Sequence, residues 1–405
     1  MKLQRILYYL AMAASLIAGR YTGIRLFYII FFVQLLLLGV VVVVNYWTLH
    51  SFRFVQSLDT DRAVKGGSVK LSVQITNETA IPMSLMEMRI AVAAPGRMEP
   101  FSLCVSPFSQ VSFDFPIDLP YRGVYEIGIQ EIQITDVFGL TSITYEMKRL
   151  PWYHMLPLTV VPRSPAAGRA AEVFDEKLFG DTGLSPASSG ESIATARPYV
   201  QGDALKRVNW KVSARYAQLF VKQYDTPIRE NVVILLDNSS LEQEVERGSV
   251  FLRRKKTEEL AIRTAACADT ACECATLVAR LSLMHGQYAQ VHALGILGRT
   301  VSLSVPDERA MDTLLDWLAN LNFERFGAIS KVLSELAGLG ASLVVISAKP
   351  TEELILALEG CTGLFESVGL IAIGDVPEQH GRVGVMPVPV GSDVLSLFSE
   401  EVKQA

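Results

Sequence analysis

The chain has 405 residues, half of them hydrophobic and a fifth charged, which suits two or three packed domains and excludes a wholly disordered chain. Lys2, Arg5, Arg20 and Arg25 give residues 1–50 a net charge of +4, while the remainder holds 33 basic and 42 acidic side chains, a net of −9. A body this acidic argues against general nucleic-acid binding, which is driven by neutralising phosphates with Lys and Arg.

The first fifty residues read as a membrane segment. Leu26 to Val44 carries no charge and one strongly polar side chain, Gln34; about twenty such residues cross a bilayer. Asn45, Tyr46 and Trp47 follow as the polar and aromatic exit. Upstream, Ile6 to Ala18 is apolar but shorter. It reads either as a signal-peptide core with small residues near Ala18 or as the first arm of a hairpin turned at Gly19 to Gly23. A signal peptide followed so soon by a stop-transfer segment would leave almost nothing outside, which favours a hairpin with helices at about 5–18 and 26–47. Both ends then lie on one face, the more basic one, and that face is expected to be cytoplasmic in a multi-pass cell-membrane protein. The five cysteines, an odd number too few to staple the chain, agree as reduced thiols.

From 51 to 162 the hydrophobic period becomes two. Val69, Leu71, Val73 and Ile75 alternate with Lys70, Ser72, Gln74 and Thr76, and Val111 to Phe115 alternates again. The strand through Ile127, Ile129, Ile132 and Ile134 breaks phase, which predicts cover on both faces. Short strands separated by Gly, Pro and Asn turns predict an antiparallel immunoglobulin-like β-sandwich, with no catalytic cluster. Residues 163–196 form a linker: of the 29 from Ser164 to Ser192, 16 are Gly, Pro, Ser or Ala.

The region 197–405 alternates buried strands with helices. Strands are predicted at 232–236, 290–297, 342–347, 368–373 and 383–390, and helices at 257–284, 310–321 and 352–358. That order predicts a doubly wound α/β domain whose ligands sit at the carboxyl ends of strands. Asp237 ends the first of these strands. The segment Asp237-Asn238-Ser239-Ser240-Leu241 resembles the Asp-x-Ser-x-Ser loop of von Willebrand factor type A domains, which in that family holds a divalent cation. Leu241 stands where the second Ser belongs, and Ser347-Ala348-Lys349 where the family places Thr-Asp-Gly. Asp237 and Ser239 are therefore at most a degenerate Mg²⁺ site, and the expectation is that no cofactor is bound and that Asp237 caps the following turn.

Cys267, Cys272 and Cys274 cannot converge on a metal from one straight helix and read as core thiols. His285 and His292 have no nucleophile arranged beside them, and there is no Gly-rich phosphate loop.

The tract Tyr199-x-x-Gly202-Asp203, then Arg207, Trp210, Ala214 and Arg215, is the most specific signal. Together with Arg122-Gly123-Val124-Tyr125 and Asp136-Val137-Phe138-Gly139-Leu140, it is similar to the bacterial "domain of unknown function fifty-eight" family. The resemblance implies a membrane hairpin, a sandwich and a type A-like domain, and a partnership with MoxR-type AAA+ ATPases. Residues 197–230 carry seven basic and three acidic side chains, which suits a docking patch in an acidic body. Asp203 is a good N-cap for a helix over 204–215. The competing structural reading pairs Arg207 or Arg215 with Asp203 and packs Trp210 against the sheet. The sequence thus points to a non-enzymatic, membrane-anchored scaffold or adaptor, with a hydrolase using the strand-end pocket at Asp237 as the alternative.

Overall fold

The computed structural model describes residues 2–94, 98–136, 138–150, 153–164, 193–199, 210–216, 218–224, 231–239, 250–295, 299–323, 329–336, 340, 342–374 and 383–391. It divides into two compact units, Met1–Val161 and Pro162–Ala405.

The first unit opens with α1 (Lys2–Thr22) and α2 (Arg25–Ser51), both longer than the apolar runs within them. They pack side by side and antiparallel. Gln34, the polar residue in the apolar run, is bonded across the pair: Ser15 Oγ donates to its Oε1 (3.3 Å) and Tyr8 OH to its carbonyl (2.6 Å). Among the described residues only α2 is long and apolar enough to cross a membrane by length and composition. The second arm expected of a multi-pass protein is therefore a helix, but one that carries Lys2, Arg5 and Arg20 and fails that test.

The chain then continues through β1 (Phe52–Leu58), β2 (Arg62–Val64), β3 (Ser68–Asn77), β4 (Leu85–Ala91), β5 (Met98–Leu103), β6 (Ser109–Asp118), β7 (Gly123–Thr135), β8 (Ser142–Glu146) and β9 (Leu156–Val161). One sheet has the order β1-β3-β6. The other has the order β2-β9-β7-β4-β5, with β8 also on β7. Val69, Leu71, Val73 and Ile75 of β3 share one core with Met86, Met88 and Ile90 of β4 and with four isoleucines of β7. Each such side chain contributes about 1.5–3 kcal/mol on burial.

The phase break in β7 has a different cause from the one predicted. Arg89 pairs with Glu131 but Ile90 pairs with Ile129, so Gln130 is an extra residue in the ladder. This β-bulge resets the alternation, and Ile127, Ile129, Ile132 and Ile134 all enter the one core. At the start of β7, Tyr125 OH donates to the carbonyls of Tyr121 and Arg122. Gly123 lies beneath that ring at φ 145, where a Cβ would stand 3.3 Å from it.

The turn between β7 and β8 binds the sandwich to the helices. Asp136 is buried; its Oδ1 accepts from Phe138 N (2.8 Å), and its Oδ2 accepts from Thr141 N and from Thr141 Oγ1 (3.0 Å). The same Thr141 hydroxyl accepts from Asn45 Nδ2 of α2 (2.7 Å), and Arg5 Nε of α1 donates to Gly139 O (2.9 Å). The phrase that begins at Asp136 is thus a polar relay from helix to sheet.

The second unit contains β10 (Ile193–Pro198), α3 (Trp210–Tyr216), β11 (Phe220–Tyr224), β12 (Asn231–Leu236), α4 (Val250–Met284), β13 (Tyr288–Leu294), β14 (Thr300–Val305), α5 (Ala310–Asn320), α6 (Ile329–Leu336), β15 (Ser342–Ser347), α7 (Glu352–Cys361), β16 (Ser367–Ile373) and β17 (Gly384–Val388). The last four residues of the expected linker, 193–196, belong to β10, and 165–192 lie outside the described residues. Strands β12–β17 form one sheet of order β14-β13-β12-β15-β16-β17, parallel except for β14 at the edge. Helices α4 and α5 cover one face and α6 and α7 the other, each over its own core. This is a doubly wound sheet, and its order reverses between β12 and β15, where such folds open a crevice.

The relay makes a stability prediction. Burial pulls the Asp136 carboxyl upward, but the N–H groups of Thr141, Leu140 and Phe138 and the Thr141 hydroxyl outweigh it and hold the group below its ordinary value. Asp136→Ala is expected to cost about 2–3 kcal/mol, because it strands those donors. A lowered folded pKa stabilises above the unfolded value near pH 4, and that share is lost as pH falls through the lower folded value. Thermal melts of the detergent-solubilised chain from pH 7 to pH 3 should therefore fall more steeply for the wild type than for Asp136→Asn; parallel curves would refute the relay.

Candidate functional site

The switch point carries a small polar cluster. Parallel pairing sets Leu236 of β12 against Ile346 of β15, and Asp237 N continues the ladder to Ile346 O (2.8 Å). The next residues, Asp237 and Ser347, therefore meet. Asp237 Oδ2 accepts from Ser347 Oγ (2.6 Å), and Oδ1 accepts from Ser239 Oγ (2.6 Å) and Ser239 N (3.1 Å). Asp237, Asn238 and Ser347 are all buried. Asn238 fastens the loop to the neighbouring strand: its Oδ1 accepts from Leu294 N, and its Nδ2 donates to the carbonyls of Leu294 and Asn322, each at 2.8 Å.

Asp237 does cap the following turn, as the sequence predicts, and Ser347 is the partner that the sequence reading passed over. Its signal was available, since it ends a buried strand in register with the one that Asp237 ends. Ser240 and Leu241 lie outside the described residues.

A carboxylate only accepts, so both hydroxyl protons point at Asp237. A serine nucleophile needs a base that removes its proton and is then oriented by a third group; here the two serines spend their protons on one carboxylate. A divalent cation at Asp237 would find one negative charge. Ser347 Oγ also accepts from Lys349 N (3.0 Å). Among the described residues no three His, Cys, Asp or Glu side chains come together as metal ligands. The donor set among the described residues is thus one carboxylate and two hydroxyls.

The remaining titratable candidates belong to the core. Burial raises the thiols of Cys267 and Cys274, and both pack with Cys272 against the sheet. His292 is buried on β13, and burial alone lowers its pKa, which keeps the imidazole neutral.

The second candidate is the basic tract. Strands β10 and β11 pair antiparallel, and Tyr199 N extends that pairing to Leu219 O (2.8 Å). Helix α3 lies in the connection between them, held where Ser213 Oγ accepts from Phe220 N (2.9 Å). Ser213 and Val221 are buried, whereas Ala214 and Arg215 are exposed and Trp210 is 65% exposed. Trp210 is therefore not the packing residue that the sequence led us to expect. It is four residues from Ala214, on the same helical face, and that face is open to solvent. Gly202, Asp203 and Arg207 lie outside the described residues, as does 204–209 of the expected helix.

The Mg²⁺ expectation can be measured. Calorimetry on the solubilised chain should give no dissociation constant below about 100 μM, an affinity of roughly 5.5 kcal/mol; tighter binding that Asp237→Ala abolishes would overturn this account. Ser347→Ala should lower stability by about 2 kcal/mol, since it removes a hydrogen bond to a buried carboxylate.

The comparison with protein families falls in the second unit. Residues 195–289 match the model of the family described as "Protein of unknown function DUF58", a span from β10 to the start of β13. The "Uncharacterized protein YeaD" of Bacillus subtilis (strain 168) is 25% identical over 211 residues, which cover 48% of this chain and 50% of that protein. The chain thus spans about half the length of this relative. Among solved structures, a beta-glucosidase from Listeria innocua in complex with glucose aligns at 11% identity and a TM-score of 0.15, over 24% of this chain and 16% of its own. The beta-glucosidase EmGH1 from Erythrobacter marinus gives 12%, a TM-score of 0.17, and 27% and 15%. Overlaps of that size transfer neither fold nor activity. The family match runs through the exposed tract and the strand that Asp237 ends, so residues 195–289 are similar to the DUF58 family of proteins of unknown function.

Proposed function

We propose that this chain is a membrane-anchored interaction protein without enzymatic chemistry of its own, an adaptor for a MoxR-type AAA+ ATPase in envelope or membrane-complex assembly. On this reading α1 and α2 form a hairpin with both ends on the cytoplasmic face, the first unit is an immunoglobulin-like spacer, and the second is a type A-like recruiting domain. The observation that carries the proposal is α3 itself: Trp210 and Ala214 share an exposed face, and Arg215 is exposed on the same short helix, within the stretch that matches the family. An exposed aromatic and an exposed arginine on one helix are the residue types of interface anchors. The tract is basic in an acidic body, so it would attract an acidic partner surface and speed its association. The doubly wound sheet and the Asp237 loop support the type A-like assignment. The consumed serine protons at Asp237 speak for a structural carboxylate there.

Two measurements test this. Purified ATPase should be captured by the solubilised chain, and Trp210→Ala should weaken capture at least about tenfold, the 1.4 kcal/mol expected of an interface anchor, while the melting temperature stays within a few degrees. Arg215→Glu should weaken capture mainly at low salt. Undiminished capture by Trp210→Ala would remove α3 from the interface. For the topology, a reporter fused at the C-terminus should be active only in the cytoplasm, and its export would reverse the orientation.

A further inference from the structure

The two ends of the β-sandwich differ in character. Helix α2 runs directly into β1 at Phe52, and Phe52 pairs with Asn77, which pairs with Ser109. In the other sheet Leu85 pairs with Thr135, and Thr135 with Ser142. The loops 78–84, 104–108 and 136–141 therefore all lie at the end from which the helices emerge.

These loops are tied into one rim. Buried Asn77 donates to Ile81 O (3.0 Å) and Ser106 O (2.9 Å), and Phe108 N donates to Thr79 O (3.1 Å). Asn45 and Arg5 hold the third loop to the helices. Each tip presents a large apolar side chain to the outside: Ile81 is 39% exposed, Phe108 73% and Phe138 56%. Phe108 is held at φ 48, the one non-glycine residue with positive φ among those described, a conformation that a bulky residue adopts only under constraint. The exposed formal charge in the three loops is Glu78, which faces Arg53 at 3.7 Å. The opposite end instead carries Asp59, Asp61, Lys65 and Asp118.

Depth decides what such a rim meets. Phe138 and Leu140 line a cleft of about 370 Å³ together with Gln4, Leu7, Tyr8 and Leu37. Leu37 lies eight residues before Asn45, or about 12 Å further along the helix at 1.5 Å per residue. Phe138 thus reaches alongside the apolar run itself, past the level of exposed Tyr46 and Trp47. We infer that this rim is a lipid-contacting face, with Phe108 and Phe138 seated at the edge of the hydrocarbon layer and the sandwich docked flush on the bilayer. The occupant is phospholipid because the cleft is lined by Leu37, part of the apolar run of α2 that lipid must cover. The inference rests on α2 spanning the membrane.

The test places nitroxide labels on the full chain in nanodiscs of phosphatidylcholine with phosphatidylglycerol. Cys104→Ser removes the exposed cysteine, the other four being buried. Labels then go to Phe108→Cys, Phe138→Cys, Val40→Cys within the span and Asp118→Cys at the far end. The ratio of oxygen to nickel-chelate accessibility at 108 and 138 should exceed that at 118 several-fold and approach that at 40. Values at 108 or 138 equal to the far-end value, with Val40 in lipid, would overturn the rim while leaving the anchor intact. An aqueous value at Val40 would instead reject the span itself. Immobile labels inaccessible to both reagents would mean that protein covers the rim, and would equally overturn the inference.

Discussion

Asn45 is wholly buried where an apolar helix meets a β-sandwich, and the first unit depends on how that carboxamide is used. An amide desolvated without a partner costs a few kcal/mol. Its Nδ2 finds Thr141 Oγ1, whose own proton goes to Asp136. A hydroxyl can do both because it has one proton and two lone pairs. The relay therefore converts the negative charge of a turn carboxylate into an orientation for α2. Since α2 enters β1 without a break, that orientation is inherited by the whole first sheet. Hydrophobic burial holds the sandwich core together but is indifferent to direction. The directional constraint comes from this short chain of hydrogen bonds and from Arg5 on Gly139 O.

Much of this was legible in the sequence because the period of two and the buried strand runs are statements about which faces are covered. Ser342 to Ser347 appears as a strand with the predicted limits, and every residue in it is buried. What was not legible depends on pairing. The phase break near Gln130 shows in the sequence, but that a bulge causes it is visible only as the register step against β4. β14 was legible too, since Thr300 to Val305 reads Thr-Val-Ser-Leu-Ser-Val, the strict alternation of a half-covered edge strand. Trp210 was misjudged for a general reason: an aromatic in a basic tract carries the same sequence signal whether it faces a core or a partner. Its exposure is decided by Ser213, which takes the inward position on α3.

The same limit applied at the strand ends. Asp237 and Ser347 are 110 residues apart in sequence, and only the parallel register of β12 and β15 makes them neighbours. The family resemblance directed attention to the places where a metal-binding loop should have oxygen ligands, so Ser347 first reads as a missing residue. In the folded chain it is a donor.

That distinction bears on why the cluster is stable as it stands. A site assembled from several carboxylates is held apart by like-charge repulsion unless a cation enters, and its geometry then depends on the ion. Among the described residues Asp237 belongs to no group of three or more His, Cys, Asp or Glu side chains. Its charge is met by two hydroxyl protons and one backbone N–H, and hydrogen bonds to a charged acceptor are stronger than neutral ones. Asn238 adds three bonds to backbone groups of β13 and the loop after α5, so the turn is fixed from both sides without an ion.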